Sequence, residues 1–410
     1  MKKKVIAIVL ALALVAAIAV GLVACNKPAE EQAAFGGFAP IAKKDIKVGL
    51  ITLHDENSTY DKNFIDSLED ARVALGLEKN QIIVASGVPE GDECYQKACE
   101  LAEAGCNVIF ADSFGHEDYM IKAAKQYPNV RFAHATGTQA HTVLLPNFYN
   151  AFASIYEGRY LAGVAAGLKL QAMGHGTDSP KIGYIGAYTY AEVMSGYTSF
   201  FLGVRSVVPT ATMEVTFTGS WYDETAERNA ANALIQRGCV LISQHADSMG
   251  APSACEAAGV PNITYNVSTE AACPDTYVAG CRINWAPYYQ YLINCTMNGV
   301  TQVGFDWVGG FAEESVELLE IGSAAAPGTE EYLETVALEL VSGARHVFDV
   351  NNFKVGGKTL TEYLADVDSD AAFAKDTQVI LDGQFVESLY RSAPYFDLEI
   401  DGITLLDRQY

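Results

Sequence analysis

From Ile46 onward the chain repeats one pattern: a short apolar run, a polar loop, then a stretch with helical periodicity. Lys47-Val48-Gly49-Leu50-Ile51 returns as Lys181-Ile182-Gly183-Tyr184-Ile185, an offset of about 133 residues. Apolar runs of this length, without alternation, predict strands buried on both faces of a parallel sheet. Helical stretches follow each, over 64–75 and 196–208, and then second strands at Gln81-Ile82-Ile83-Val84 and Met213-Glu214-Val215-Thr216-Phe217. Gly91-Asp92-Glu93 and Tyr222-Asp223-Glu224 each open a helix that ends at Gly105-Cys106 or Gly238-Cys239. A third strand leads in both halves to the same turn, Ala111-Asp112-Ser113-Phe114-Gly115 and Ala246-Asp247-Ser248-Met249-Gly250.

Strands alternating with helices give βαβ units and parallel sheets, and a tandem repeat of them gives two similar lobes. The predicted fold class is therefore α/β, with two doubly wound parallel-sheet lobes joined by a hinge. Lobe one is expected over 45–140 and 284–305. Lobe two is expected over 141–283 and 306–410, the latter including a C-terminal extension. Connections near 136–147, 278–285 and after Gly304 would form the hinge. Ligands of such sheets bind outside the carboxyl ends of the strands, so the two Ala-Asp-Ser turns are expected to face each other across a cleft.

The amino terminus carries a different pattern. Lys2, Lys3 and Lys4 precede an uncharged apolar run from Val5 to Val23, which ends in Leu22-Val23-Ala24-Cys25. This reads as a signal peptide over 1–24 and is similar to a bacterial lipobox, in which Cys25 becomes the lipidated first residue. A single membrane span is the alternative, since the run is almost long enough. Residues 25–44 then form a polar, Ala-rich tether. The whole chain has 27 basic and 50 acidic residues. Removing 1–24 takes away three lysines and no acids, so 24 against 50 leaves a net charge of −26. Such a balance argues against nucleic acid and against docking on anionic lipid.

Of nine cysteines none forms a CxxC pair or a zinc-spaced cluster, so neither metal nor cofactor is expected. Cys273 and Cys281 flank a Pro-Asp-Thr turn; a disulfide and two reduced thiols are both open. The turn 246–250 falls one residue short of a nucleophile elbow. The same Ala-Asp-Ser in the first half marks it as architecture, which argues against an enzyme.

Four segments, in this order and spacing, resemble the basic membrane protein (Bmp/Med) family, which includes purine nucleoside receptor lipoproteins. They are Tyr156-Glu157-Gly158-Arg159-Tyr160-Leu161-Ala162-Gly163, Lys181-Ile182-Gly183-Tyr184-Ile185-Gly186, Ser220-Trp221-Tyr222-Asp223-Glu224 and His245-Ala246-Asp247-Ser248. Gly309-Gly310-Phe311-Ala312 adds a weaker match, and the likeness covers about 46–358. It implies a type I periplasmic-binding fold and an extracytoplasmic, lipid-anchored receptor. That receptor would be monomeric and would hand a purine base or nucleoside to an ABC permease. A sugar receptor or sensor of the same fold is the alternative, and a nucleoside-processing enzyme a more distant one. A departure is Asp61-Lys62-Asn63-Phe64, with Asn where family nucleoside receptors tend to carry Ser.

Candidate ligand residues follow from the loops at strand ends. The loop 54–61 offers Ser58, Tyr60 and Asp61; Ser58 and Asp61 are equally good helix caps. Phe114 and Trp221 are stacking candidates, with Trp221 expected to face the cleft and Asp223 to cap a helix. His245, Asp247, Asn266 and Glu192 supply donors and acceptors for a base edge.

Overall fold

The computed structural model describes residues 37–367 and 374–408. The expected signal peptide, Cys25 and the start of the tether lie outside the described residues. Among the described residues no helix is long and apolar enough to cross a membrane.

Two parallel sheets form on the repeated plan. The first contains β1 (Val48–Ile51), β2 (Ile82–Ala85), β3 (Val108–Ala111), β4 (Arg131–Ala135), β5 (Phe148–Ala153) and β11 (Asp306–Gly309), in the order β11-β5-β4-β3-β1-β2. The second contains β6 (Lys181–Gly186), β7 (Thr212–Phe217), β8 (Ile242–Gln244), β9 (Asn262–Tyr265) and β10 (Tyr277–Ile283). With β12 (Val316–Leu318) and β17 (Ile403–Leu405) it runs β12-β10-β9-β8-β6-β7-β17. Within these two sheets, among the described residues, only β12 is antiparallel to its neighbour. Every residue of β1 and β3 is buried, as expected for central strands covered on both faces.

Helices cover the sheets where the periodicity lies, starting a turn earlier than the apolar pattern suggests. In lobe one these are α1 (Thr59–Leu75), α2 (Asp92–Glu103), α3 (Glu117–Gln126) and the single turn α4 (Ala140–Val143). Ser58 caps α1 through its hydroxyl on the Asp61 N–H, and Gly76 ends it in the left-handed conformation at φ 61°. In lobe two α5 (Ile155–Ala172), α6 (Ala191–Val207), α7 (Glu224–Gln236) and α8 (Gly250–Ala258) follow. Asp223 caps α7 through the Ala226 N–H, as expected.

α5 and α6 are buried on nearly every side and cross backbone to backbone. A Cβ at Gly163 would lie 2.0 Å from the Phe200 carbonyl, and one at Gly203 2.1 Å from that of Tyr160. Only glycine permits this approach.

The chain changes lobes at Ser154, at 284–285 and at 310–315. Ser154 N–H donates to the Gly309 carbonyl (2.8 Å) and Asn284 N–H to that of Ser315 (2.9 Å), so the crossings lie side by side. α9 (Ala286–Met297) returns to lobe one and packs on α1. The lobe boundaries need correction. β5 pairs with β4 and β11 in the first sheet, so the first crossing lies at Ser154 and not near 140. β11 likewise carries lobe one past 305. An apolar parallel strand looks the same whichever sheet takes it; register with a neighbour decides.

The extension contributes α10 (Thr329–Val341), packed on α5, and two small hairpins, β13–β14 (Leu364–Ala365, Thr377–Gln378) and β15–β16 (Ile380–Leu381, Gln384–Phe385). Phe348, Phe353, Phe385 and Phe396 form its aromatic core. Cys273 and Cys281 are free, buried thiols.

Candidate functional site

The carboxyl ends of both sheets meet around one narrow cavity of about 20 Å³, with the lobes drawn together over it. Lobe one lines it with Leu53 and His54 from the loop after β1, Tyr60 and Asp61 from the first turn of α1, Ser113 and Phe114 after β3, and Thr136 after β4. Lobe two contributes Glu192 from the first turn of α6, Trp221 after β7, and His245 and Asp247 after β8. Seven of the nine residues singled out from the sequence thus share one cavity. The other two stand directly behind it: Ser58 Oγ donates to Asp61 Oδ2 (2.5 Å), and Asn266 Nδ2 to Asp247 Oδ1 (3.2 Å).

The lobes touch across the cleft. Thr59 at the start of α1 donates its N–H to the Asp247 carbonyl (2.9 Å), and its hydroxyl lies 3.4 Å from Asp247 Oδ1. At the mouth Phe114 stacks on Tyr190, with centroids 4.9 Å apart and planes 26° apart. Tyr190 stacks in turn on Tyr188, which meets Trp221 edge to face at 5.0 Å. Phe114 is 40% and Tyr190 38% exposed, so this aromatic row closes the rim and not the floor. Trp221 and Tyr222 are both half-buried: Trp221 lines the cavity, while Tyr222 faces the His54 ring across the lobes at 5.7 Å.

The polar groups are tuned by burial. Burial opposes the Asp61 charge, yet hydrogen bonds from His54 and Ser58 hold this carboxyl below its ordinary value. Asp247 is driven well above the carboxylate range by burial, with the Asp61, Glu227 and Glu192 charges adding to it. Burial thus favours the protonated form of Asp247, which can donate as well as accept, opposite a carboxyl whose ionised form is favoured. Asp112, behind the wall, is raised the same way by burial and by Asp61, and its carbonyl accepts from the Tyr60 hydroxyl (2.8 Å). Burial lowers the His245 pKa and favours the neutral imidazole, with the Glu192 carboxylate opposing it. Among the described residues no Lys or Arg lines the cavity.

His54, Ser113, Thr136, Tyr188 and Tyr190 belong to this surroundings without having been singled out. One signal was available for Thr136. It follows β4 as Asn266 follows β9, the fourth strand of each lobe, and the structure puts both in left-handed backbone (φ 62° and 72°). Tyr188 and Tyr190 carried a weaker one, two aromatics just past the carboxyl end of β6.

The model of the Bmp family, described as ABC transporter substrate-binding protein PnrA-like, matches residues 48–337, well over half of the chain. The chain belongs to this family. A purine-binding protein of Brucella abortus is 33% identical over 276 residues, 67% of this chain and 75% of the relative. A Haloferax volcanii protein named for glucose binding in an ABC transporter is 34% identical over 221 residues, 54% of this chain and 53% of the relative. The solved ABC transporter solute-binding protein of Conexibacter woesei superposes with a TM-score of 0.61 at 20% identity, covering 73% of this chain and 98% of that one. That likeness concerns the fold, which is the type I periplasmic-binding fold. As a Bmp-family member the protein is an extracytoplasmic substrate-binding component of an ABC transporter, with a permease as its partner.

Proposed function

We propose that this protein captures a purine base or nucleoside between its lobes and delivers it to the permease. One observation carries the reading: a cleft with aromatic faces, carboxyl and imidazole groups on opposite walls, and no Lys or Arg among the described residues that line it. Flat rings gain about 1–3 kcal/mol from each stacking partner. Mixed donors and acceptors fit a base edge, and the absence of Lys and Arg disfavours phosphorylated ligands. The Brucella relative's name supports the same ligand class.

A sugar is the second reading, favoured by the name of the Haloferax relative and by the use that sugars also make of aromatic faces and carboxylates. Calorimetric titration with adenine, guanine, adenosine, guanosine and glucose separates the two. Saturable binding of a purine with glucose inert is the expected outcome; glucose binding without any purine response would overturn the proposal.

The same reading includes attachment through a lipidated Cys25, a monomeric receptor, and no nucleic-acid partner. Cys25→Ser is expected to release the protein or leave an uncleaved precursor, checked by membrane fractionation and lipid labelling.

A further inference from the structure

We propose that two buried residues of lobe two, Arg159 and Tyr184, fix the imidazole of His245 in the tautomer that carries its hydrogen on Nε2, so that the cleft wall presents one N–H donor to a ring nitrogen of the ligand. The ligand half of this inference rests on the purine reading; the tautomer half does not.

Arg159 is fully buried, against the rings of Tyr184, Phe200 and Tyr265. A guanidinium has donors only. Its Nη2 lies 2.7 Å from the Tyr184 hydroxyl, closer than to Ser243 Oγ (3.1 Å) or the Gln244 carbonyl (3.3 Å). The Tyr184 oxygen is therefore an acceptor toward Arg159. Its own hydrogen has one further neighbour, His245 Nδ1 at 3.2 Å. With the hydroxyl donating there, Nδ1 is the unprotonated nitrogen. In a neutral imidazole the hydrogen must then sit on Nε2.

The ring is held in this orientation. Tyr265 meets it edge to face at 4.9 Å. On the other side α6 presents Gly196, where a Cβ would come within 2.6 Å of Nδ1. Nε2 is buried without a well-formed hydrogen bond; Glu192 Oε1 faces it at 3.5 Å, beyond ordinary N–H···O distance. A buried donor left unpaired is costly, and His245 lines the cavity, so a ligand acceptor is the group that completes it. Ring nitrogens are acceptors that every purine carries. Arg159 and Tyr184 touch no ligand in this scheme and act as positioning residues.

Nitrogen NMR of protein labelled in its histidine rings reads the tautomer directly, with His245→Asn identifying the signal. At neutral pH the ligand-free wild type should show an imine-like Nδ1 and a protonated Nε2; a hydrogen on Nδ1 overturns the proposal. Tyr184→Phe keeps the ring and removes the relay, and should give a mixture of tautomers. An unchanged Nε2–H signal in a folded variant removes Arg159 and Tyr184 from the argument, and if the variant fails to fold the wild-type tautomer still decides. Adenine and its deaza analogues, each with one ring nitrogen replaced by C–H, test the ligand half. One analogue should bind the wild type roughly tenfold more weakly than adenine, as for one hydrogen bond. Tyr184→Phe should weaken adenine similarly but scarcely affect that analogue. Equal binding of all analogues refutes the contact to a ring nitrogen. If no purine binds at all, the purine reading fails with it, while the tautomer measurement stands on its own.

Discussion

Glu387 is only 2% exposed. The C-terminal extension carries it into the interior of lobe two. Burial pushes its carboxyl up to about 8; the Ser195 hydroxyl on α6 opposes this, and the Glu192 charge adds to it. Below its ordinary value of 4.5 the group is protonated both folded and unfolded, and contributes its full stability there. As pH rises past that value the unfolded chain releases the proton while the folded one keeps it, so stability falls until the folded carboxyl ionises near 8. The slope is about 1.4 kcal/mol per pH unit, or at most about 4 kcal/mol between roughly pH 5 and pH 8. Relaxation and water entry bring the realistic figure nearer about 2 kcal/mol. Glu387→Gln keeps the shape and removes the titration. Denaturant unfolding of both proteins across this range should show the wild type losing stability with pH more steeply than the variant. Near pH 8 the variant should be at least as stable. Glu227, raised by burial to about 7, slopes the same way in both proteins and cancels in the difference. Parallel pH profiles would refute the reasoning, because an ionised Glu387 in the folded state at neutral pH leaves nothing for the substitution to remove.

Trp221→Ala should weaken purine binding by about 1–3 kcal/mol through lost stacking, a reduction that titration calorimetry would resolve without abolition of binding. Asp61→Ala should weaken nucleosides more than free bases if Asp61 meets the ribose, and should also lower stability, since it removes the acceptor of the His54 N–H and the Ser58 hydroxyl; equal losses for both ligand classes would place Asp61 against the base. Gly163→Ala drives a methyl against the Phe200 carbonyl and should destabilise lobe two by about 1–3 kcal/mol or more, visible as a lower unfolding midpoint. Solution scattering should show compaction on adding ligand as the lobes rotate about their three crossings; superimposable curves at saturation would argue against closure.

Much of this molecule is local in origin. The repeated apolar runs determined two parallel sheets, because a strand covered on both faces has to be apolar throughout, and the order of runs and helices determined the doubly wound path. That path carries the loops after β1, β3, β6, β7 and β8 to one side of each sheet. Tyr60, Asp61, Phe114, Glu192, Trp221, His245 and Asp247 could therefore be chosen before any contact was known. Ser58, Asp223 and the glycines ending the helices were legible for the same reason, since caps act within a turn of their own backbone.

What the tertiary structure alone decided involves partners far apart in sequence. β5 joins the first sheet through its register with β4 and β11, which its own composition does not encode. Thr59 meets Asp247, and Phe114 meets Tyr190, only because two lobes approach each other. Arg159 lies more than twenty residues from Tyr184, and Tyr184 farther still from His245, so their line of hydrogen bonds exists only once α5, β6 and the end of β8 are packed. The extension beyond Val341 has little periodicity, yet it adds β17 to the edge of β7 and gathers four phenylalanines. Residue pattern records how each segment divides apolar from polar neighbours. Which surfaces then face each other, and which buried carboxyls must hold a proton, depends on desolvation by groups that meet only in the folded chain.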